Sequence, residues 1–224
     1  MRIVVTRPLE QAAATAARLR ERGHEAIILP LTEVVARPTQ DIDESEIESV
    51  AVTSANALRH LERGLLQRIR HIPLFAVGDR TADQALAAGF EQVASAQGDV
   101  GALAALALKK SRQGSRILYC CGRPRRPEFE RLMEAAGRAV TLAETYETRQ
   151  LAVESSALVH ADVVLVYAQS AAAALNKMNI SVSDATFICI SERVARTLRA
   201  PAQNVRLIAH PDENSMLAEI DRLP

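Results

Sequence analysis

Aromatic side chains are scarce in this chain: 3% of its 224 residues, with no Trp. Stacking platforms for single-stranded nucleic acid need such rings, so their scarcity argues against that class of binder. Charge of one sign is also missing. The 27 Lys and Arg residues balance 27 Asp and Glu, whereas a general nucleic-acid binder should be basic; a local basic cleft remains compatible with a zero sum. Cysteine appears only as Cys120, Cys121 and Cys189, with no C-x-x-C. Neighbours on a strand point to opposite faces, so Cys120 and Cys121 are not expected to bridge. All three read as small buried thiols in a reducing compartment. Met1 to Arg20 has no continuous apolar core of signal-peptide type, and no apolar run approaches a membrane span; the expectation is a soluble cytoplasmic protein. The five histidines are scattered without metal-ligand spacing, so no metal site is expected. Gly98-Asp99-Val100-Gly101 is not a dinucleotide fingerprint and reads as the start of a helix.

What is present is alternation. Hydrophobic residues make up 48% of the chain, enough for real cores. Short β-branched runs read as buried parallel strands at Arg2–Thr6, Ala26–Leu29, Val50–Val52, Leu74–Val77, Gln92–Ala94, Arg116–Cys120, Asp162–Val166, Ala185–Ile190 and Val205–Ile208. Leu31–Arg37 and Ala139–Tyr146 read as extended. Helical patterns fill most of the gaps, among them Gln11–Arg22, a helix from Ala55 to about Ile69, and Ser215–Leu223. Thr39–Glu48 is acidic and reads as a surface connection. Strands alternating with helices predict a parallel, doubly wound α/β sheet.

The pattern also repeats. Arg2-Ile-Val-Val-Thr-Arg-Pro, then a helix, Gly23 and a strand, matches Arg116-Ile-Leu-Tyr-Cys-Cys-Gly-Arg-Pro, a helix, Gly137 and a strand. Val50-Ala-Val-Thr-Ser-Ala-Asn matches Val163-Val-Leu-Val-Tyr-Ala-Gln-Ser, and Leu74 to Ala82 matches Phe187 to Ala195. Ile3 and Ile117 are 114 residues apart, and Phe75 and Phe187 are 112 apart. Two similar domains of about five strands follow, with a ligand site between them as the default expectation. The repeat by itself also permits a plain tandem split near Gly114.

In an open α/β sheet the carboxyl ends of the strands face the ligand crevice, and a helix N-terminus there offers unpaired N–H groups to an anion. Thr53-Ser54-Ala55-Asn56 is the clearest such junction. The same hydroxyls can equally serve only as helix caps, which is their commoner job. Arg7, Arg80 and Arg123 follow strand ends, where a guanidinium can meet a carboxylate or stand as an ordinary surface cation. The Arg123, Arg125, Arg126 cluster reads either way as well.

The ordered set Val5-Thr6-Arg7-Pro8, Thr53-Ser54-Ala55-Asn56, Ala76-Val77-Gly78-Asp79-Arg80-Thr81-Ala82, Gly122-Arg123 and the stretch Val140–Thr148 around Tyr146 resembles the uroporphyrinogen-III synthase family across essentially the whole chain. The resemblance implies two flavodoxin-like domains joined by a two-stranded linker: domain 1 from residues 1–36 and 149–224, and domain 2 inserted as 37–148. It implies a cofactor-free lyase of tetrapyrrole and haem biosynthesis. The reaction closes linear hydroxymethylbilane to uroporphyrinogen III, inverting the last pyrrole ring with loss of water through an azafulvene. It further implies a monomer, with no nucleic-acid or membrane partner.

The implied substrate carries many carboxylates. The residues expected to meet them, by position in the motifs, are Thr6, Arg7, Thr53, Ser54, Asn56, Gly78, Arg80, Thr81, Gly122, Arg123, Ser170 and Ser191. The family's implicated tyrosine falls on Tyr146, expected to donate to the leaving hydroxyl; the plainer alternative is an amphipathic linker residue. The chain departs from the family where Ser191 replaces a Gly, Val194 a Thr, and Ala168-Gln169-Ser170 a Thr-Ser. Two further readings stay open at this point: a non-enzymatic two-domain small-molecule binder, and a catalytically inactive relative.

Overall fold

A computed structural model describes residues 1–39, 41–178 and 185–223. In chain order the elements begin with β1 (Arg2–Val5), α1 (Leu9–Glu21), β2 (Glu25–Ile28), β3 (Thr32–Ala36) and β4 (Ile47–Val52). They continue with α2 (Ala55–Arg59), α3 (Arg63–Ile69), β5 (Leu74–Ala76), α4 (Asp79–Ala87), β6 (Val93–Ser95), α5 (Val100–Lys110), β7 (Arg116–Arg123), α6 (Glu128–Ala135) and β8 (Ala139–Gln150). The last are β9 (Val163–Val166), α7 (Gln169–Lys177), β10 (Thr186–Cys189), α8 (Glu192–Thr197), β11 (Val205–Leu207) and α9 (Glu213–Ile220). None of these helices is long and apolar enough to cross a membrane.

The chain divides into two compact units, one of Met1–Glu33 with Arg149–Pro224 and one of Val34–Thr148. The first holds a five-stranded sheet in the order β11-β10-β9-β1-β2. All its pairings are parallel, with Val4 opposite Ile27 on one side and Val164 on the other. The second sheet runs β3-β8-β7-β4-β5-β6. Its strands from β8 to β6 are also parallel, with Val52 opposite both Ala76 and Cys120. Taking β7 as the counterpart of β1 and β4 as that of β9, both sheets have one spatial order, 2-1-3-4-5. That is the flavodoxin order, with its switch point between the first and third strands. The placement of β1 beside β9, and β4 beside β7, follows the expectation and departs from a tandem split.

Alternation sets the layers. Val4, Val164 and Val166 face one core, while Ile3, Val5, Val163 and Leu165 face the other. In the second sheet Cys120 faces one core and its neighbour Cys121 the opposite one, and all three cysteines are free and buried. Fully burying such an aliphatic side chain contributes about 1.5–3 kcal/mol, so these runs hold the sheets together. Gly23 and Gly137 end α1 and α6 in left-handed conformations, φ 80° and 71°, which a side chain would strain.

Several expectations are corrected. The helix expected from Ala55 to about Ile69 is broken. His60 closes α2 by donating its N–H to Asn56 O and Leu58 O, and Glu62 is extended before α3 begins. The apolar phase survives the break, because Ala57, Leu58, Leu61, Leu65 and Ile69 all enter one core. Strand β4 begins at Ile47 and not Val50, so the acidic connection is shorter than expected. Within it Asp43 accepts from Ser45 N, and Gln40 lies outside the described residues. Strand β7 continues to Arg123 and β8 to Gln150. The bonds Arg37 N to Thr145 O and Leu151 N to Leu31 O run in opposite sense along β3 and β8, making that pair antiparallel.

Candidate active site

In the second unit the switch point lies where β4 and β7 end. Thr53 Oγ1 and Tyr119 Oη are 3.1 Å apart. Burial pushes the Tyr119 phenol up to about 12, with the Thr53 hydrogen bond pulling back. The ring of Tyr119 is held against Phe129, centroids 4.7 Å apart. Ser54 caps α2, accepting from Asn56 N at 3.2 Å. Asn56 is half-buried on the first turn, and its Oδ1 lies 3.4 Å from Arg59 Nη1. Gly122 sits opposite Tyr146 in register, and the Tyr146 ring stands 6.2 Å from His60. Burial raises the Tyr146 phenol above its ordinary value, with the Ser54 hydroxyl as the main counterweight. This corner therefore brings together Thr53, Ser54, Asn56, Gly122 and Tyr146, all expected from sequence.

Arg123 ends β7 with its side chain 60% exposed and Nη1 3.9 Å from Glu144. It belongs to a denser array. Arg125 donates to Glu130 at 2.8 Å and to Glu144 at 3.0 Å. Arg37 donates to Glu147 at 2.8 Å and stands 3.7 Å from Glu144. Three guanidiniums thus converge on Glu144, so Arg125 is a structural cation and Arg123 is the outermost of the three.

The first unit repeats the arrangement with different residues. Thr6 is fully buried and donates its hydroxyl to Leu165 O at 2.7 Å. It ties β1 to β9 at the switch point and is not presented to solvent. Arg7 lies 4.3 Å from the Tyr167 ring centroid. Its guanidinium donates to Thr15 and Glu213, each at 3.2 Å, and to Gln11 at 3.1 Å; Thr15 Oγ1 also bonds Glu213. Only 13% of the Arg7 side chain is exposed. Ser170 is the second residue of α7, after Gln169, and its carbonyl accepts from Gln150 Nε2 at 3.3 Å. Elsewhere, Gly78 and Ser191 precede α4 and α8 in extended conformation, with no side-chain cap at either helix. Arg80 is exposed on α4 and Thr81 is buried beneath it.

One electrostatic feature separates the two switch points from the rest of the surface. Among the described residues, α2 and α7 are the α-helices with no acidic residue at the cap or in the first turn. The others carry Glu10, Glu62, Asp79, Asp99, Glu128, Glu192 or Asp212 there. An acid at that position neutralises the positive N-terminal end. The helices left bare are the ones that follow β4 and β9, the equivalent third strands of the two sheets. No group of His, Cys, Asp or Glu among the described residues is arranged to hold a metal ion.

Tyr119, Tyr167, Glu144 and Thr145 were not singled out from sequence. Each acts through a partner distant in the chain. The one available signal was the repeat, which aligns Tyr167 with Thr53 as the residue after the third strand.

Duplicated flavodoxin-order sheets, each with an acid-free helix N-terminus at its switch point, define a two-unit α/β protein. The family model of uroporphyrinogen-III synthase HemD matches residues 13–218, and the chain belongs to the uroporphyrinogen-III synthase family, lyases of tetrapyrrole and haem biosynthesis that act on a small-molecule tetrapyrrole. Its fold is similar to that of the uroporphyrinogen-III synthetase from Helicobacter pylori 26695, at 19% identity and a TM-score of 0.74, with 100% of both chains covered. It is also similar to a mutant uroporphyrinogen III synthase from the extreme thermophile Thermus thermophilus, at 15% identity and a TM-score of 0.64, covering 99% of this chain and 98% of that one. No curated protein matches it by sequence.

Proposed function

We propose that this chain closes hydroxymethylbilane to uroporphyrinogen III by meeting the substrate's carboxylates with strand-end groups. The observation that carries the reading is the pair of helix N-termini, α2 and α7, that lack any acid in cap or first turn. Around them stand the groups proposed to meet carboxylates. In the second unit these are Thr53, Ser54, Asn56 and Arg123, with Gly78, Arg80 and Thr81 at the end of β5, while Gly122 stands beneath the Tyr146 ring. In the first they are Ser170 and Ser191. Thr6 and Arg7 enter the reading as the residues that shape the first unit's switch point, since their polar groups are engaged internally. The two compact units are read as the family's discontinuous and inserted domains, acting as a monomer in the cytoplasm.

Chemistry in this reading follows from positioning. The terminal C–O bond of the bilane breaks, and its oxygen leaves as water with a proton from an acid. The adjacent pyrrole loses its N–H proton to form the azafulvene. The substituted α-carbon of the last ring then attacks the new methylene carbon, giving a spirocyclic pyrrolenine as the first ring's nitrogen takes up a proton. Its older bond to the neighbouring bridge carbon breaks, returning that electron pair to the last ring and leaving a second azafulvene on the third ring. The last ring's free α-carbon attacks that bridge carbon and releases its proton, so the macrocycle closes with the ring inverted. Tyr146 is the proposed donor. Its phenol, raised by burial, stays protonated at neutral pH, so it assists chiefly as a hydrogen-bond donor. Its contribution is expected at the low end of the ~10²–10⁴-fold that one acid–base group supplies.

Competition binding tests the carboxylate reading. Product with free carboxylates should inhibit turnover, and the same macrocycle fully methyl-esterified should not. Equal inhibition by acid and ester would overturn it.

A further inference from the structure

Tyr146 points where it does because β8 is irregular. Strands β7 and β8 pair residue for residue up to Cys121 opposite Glu144, and the next pair is Gly122 opposite Tyr146. Thr145 is the extra residue, and β8 bulges there. In a regular strand Thr145 and Tyr146 would face opposite sides. Here both turn to the same core. Thr145, fully buried, donates its hydroxyl to Ala57 O of α2 at 2.9 Å. The Tyr146 ring packs on the cluster that contains Ala57, Leu58 and Cys120. Re-aiming one side chain is what a bulge beside a site accomplishes.

The re-aimed ring must lie across β7, and the residue beneath it has no side chain. A Cβ on Gly122 would fall 2.2 Å from Tyr146 Cζ, 2.4 Å from Cε2 and 2.7 Å from Cε1. Carbon atoms do not approach so closely, so any side chain at 122 displaces the ring. Gly122 is not among the residues with positive φ. Its glycine is required for space and not for backbone angle.

We propose that Gly122 and Thr145 are positioning residues for Tyr146: the missing Cβ is the seat of the ring, and the Thr145 bond to α2 fixes the bulge that turns the ring onto that seat. The proposal rests on the reading of Tyr146 as the group that assists water loss, and it assigns Gly122 a role other than contact with substrate.

Ring NMR on tyrosine-labelled protein at neutral pH tests the seat without reference to activity, because the chain has three tyrosines. In Gly122→Ala the signal that is missing from Tyr146→Phe should move toward its unfolded-chain position, while those of Tyr119 and Tyr167 stay. Steady-state kinetics tests the consequence. Gly122→Ala should lower kcat as far as Tyr146→Phe does, with KM little changed, and the double variant should lose no more than either single one. Thr145→Val should follow Gly122→Ala, and Thr145→Ser, which keeps the hydroxyl, should retain both the native signal and the native rate. An unmoved Tyr146 signal in Gly122→Ala and Thr145→Val would overturn the proposal, as would losses that multiply in the double variant. A native rate in Tyr146→Phe would instead defeat the donor reading, leaving the NMR result to decide on the seat. Should Gly122→Ala fail to fold, the Thr145→Val and Thr145→Ser pair decides.

Discussion

Arg7→Met is the substitution that best separates architecture from binding in the first unit. It keeps an unbranched stem over the Tyr167 ring and removes the guanidinium. Three side-chain hydrogen bonds disappear with it, to Thr15, Glu213 and Gln11, together with the stacking contact at 4.3 Å. Removing one partner of a buried ion pair costs ~3–5 kcal/mol when the other charge is stranded. Glu213 is not stranded: Arg18 Nη1 remains 3.1 Å away, and 28% of the Glu213 side chain is exposed. The loss should therefore fall near the lower end, about 3 kcal/mol. With a urea dependence of ~1–3 kcal/mol per molar, the unfolding midpoint should drop by about 1–3 M, a shift easily read from far-ultraviolet circular dichroism. Turnover of the folded variant, measured in the absence of urea, should stay near the native rate. An unchanged midpoint with a raised KM would refute the reasoning and make Arg7 a substrate ligand.

The remaining expectations are smaller. Thr6→Val should cost about 1 kcal/mol, one net hydrogen bond, and leave KM unchanged, whereas a large rise in KM would return Thr6 to the binding surface. Thr53→Val with Ser54→Ala should raise KM, since two donors leave the α2 switch point. It should also lower stability, because Ser54 caps α2 at about 1 kcal/mol and Thr53 partners the Tyr119 hydroxyl; native KM would remove the pair from the site. Stability should fall at high pH. Burial raises Cys121 to about 12 and Cys189 to about 11 from an ordinary 9.0, and Tyr119 and Tyr167 to about 12 from 10.0. The folded state thus holds protons that the unfolded chain releases, so the contribution is complete below pH 9 and lost between about 9 and 12. Urea midpoints that stay level through that window would contradict the buried placement of these groups.

The strands were legible because β-branched runs buried on both faces mark the sequence. Their partners were not legible in the repeat, which also permits a tandem split; the family resemblance implied that the strand of Ile3 lies beside that of Val164 and the strand of Val52 beside that of Ile117, and the sheets pair so. The break between α2 and α3 was not legible. Ala57, Leu61, Leu65 and Ile69 keep one apolar phase with or without it, so hydrophobic pattern carries no trace of the interruption. The site was legible as a set of strand-end residues and illegible as a set of roles. Thr6 and Arg7 resemble ligand-binding groups in sequence because they follow a strand. Only the structure shows that Leu165 O and Glu213, more than 150 residues away, already engage them. The bulge at Thr145 is likewise silent, since it depends on how β8 pairs and not on what β8 contains.

The central claim is that this chain redirects ring closure. Left alone, hydroxymethylbilane closes without inverting its last ring and gives the type I isomer. Purified protein mixed with fresh hydroxymethylbilane, with no added metal or nucleotide, should give type III in excess of the protein-free blank when the oxidised products are separated by chromatography. Type I alone, formed at the rate of the blank, would contradict the account.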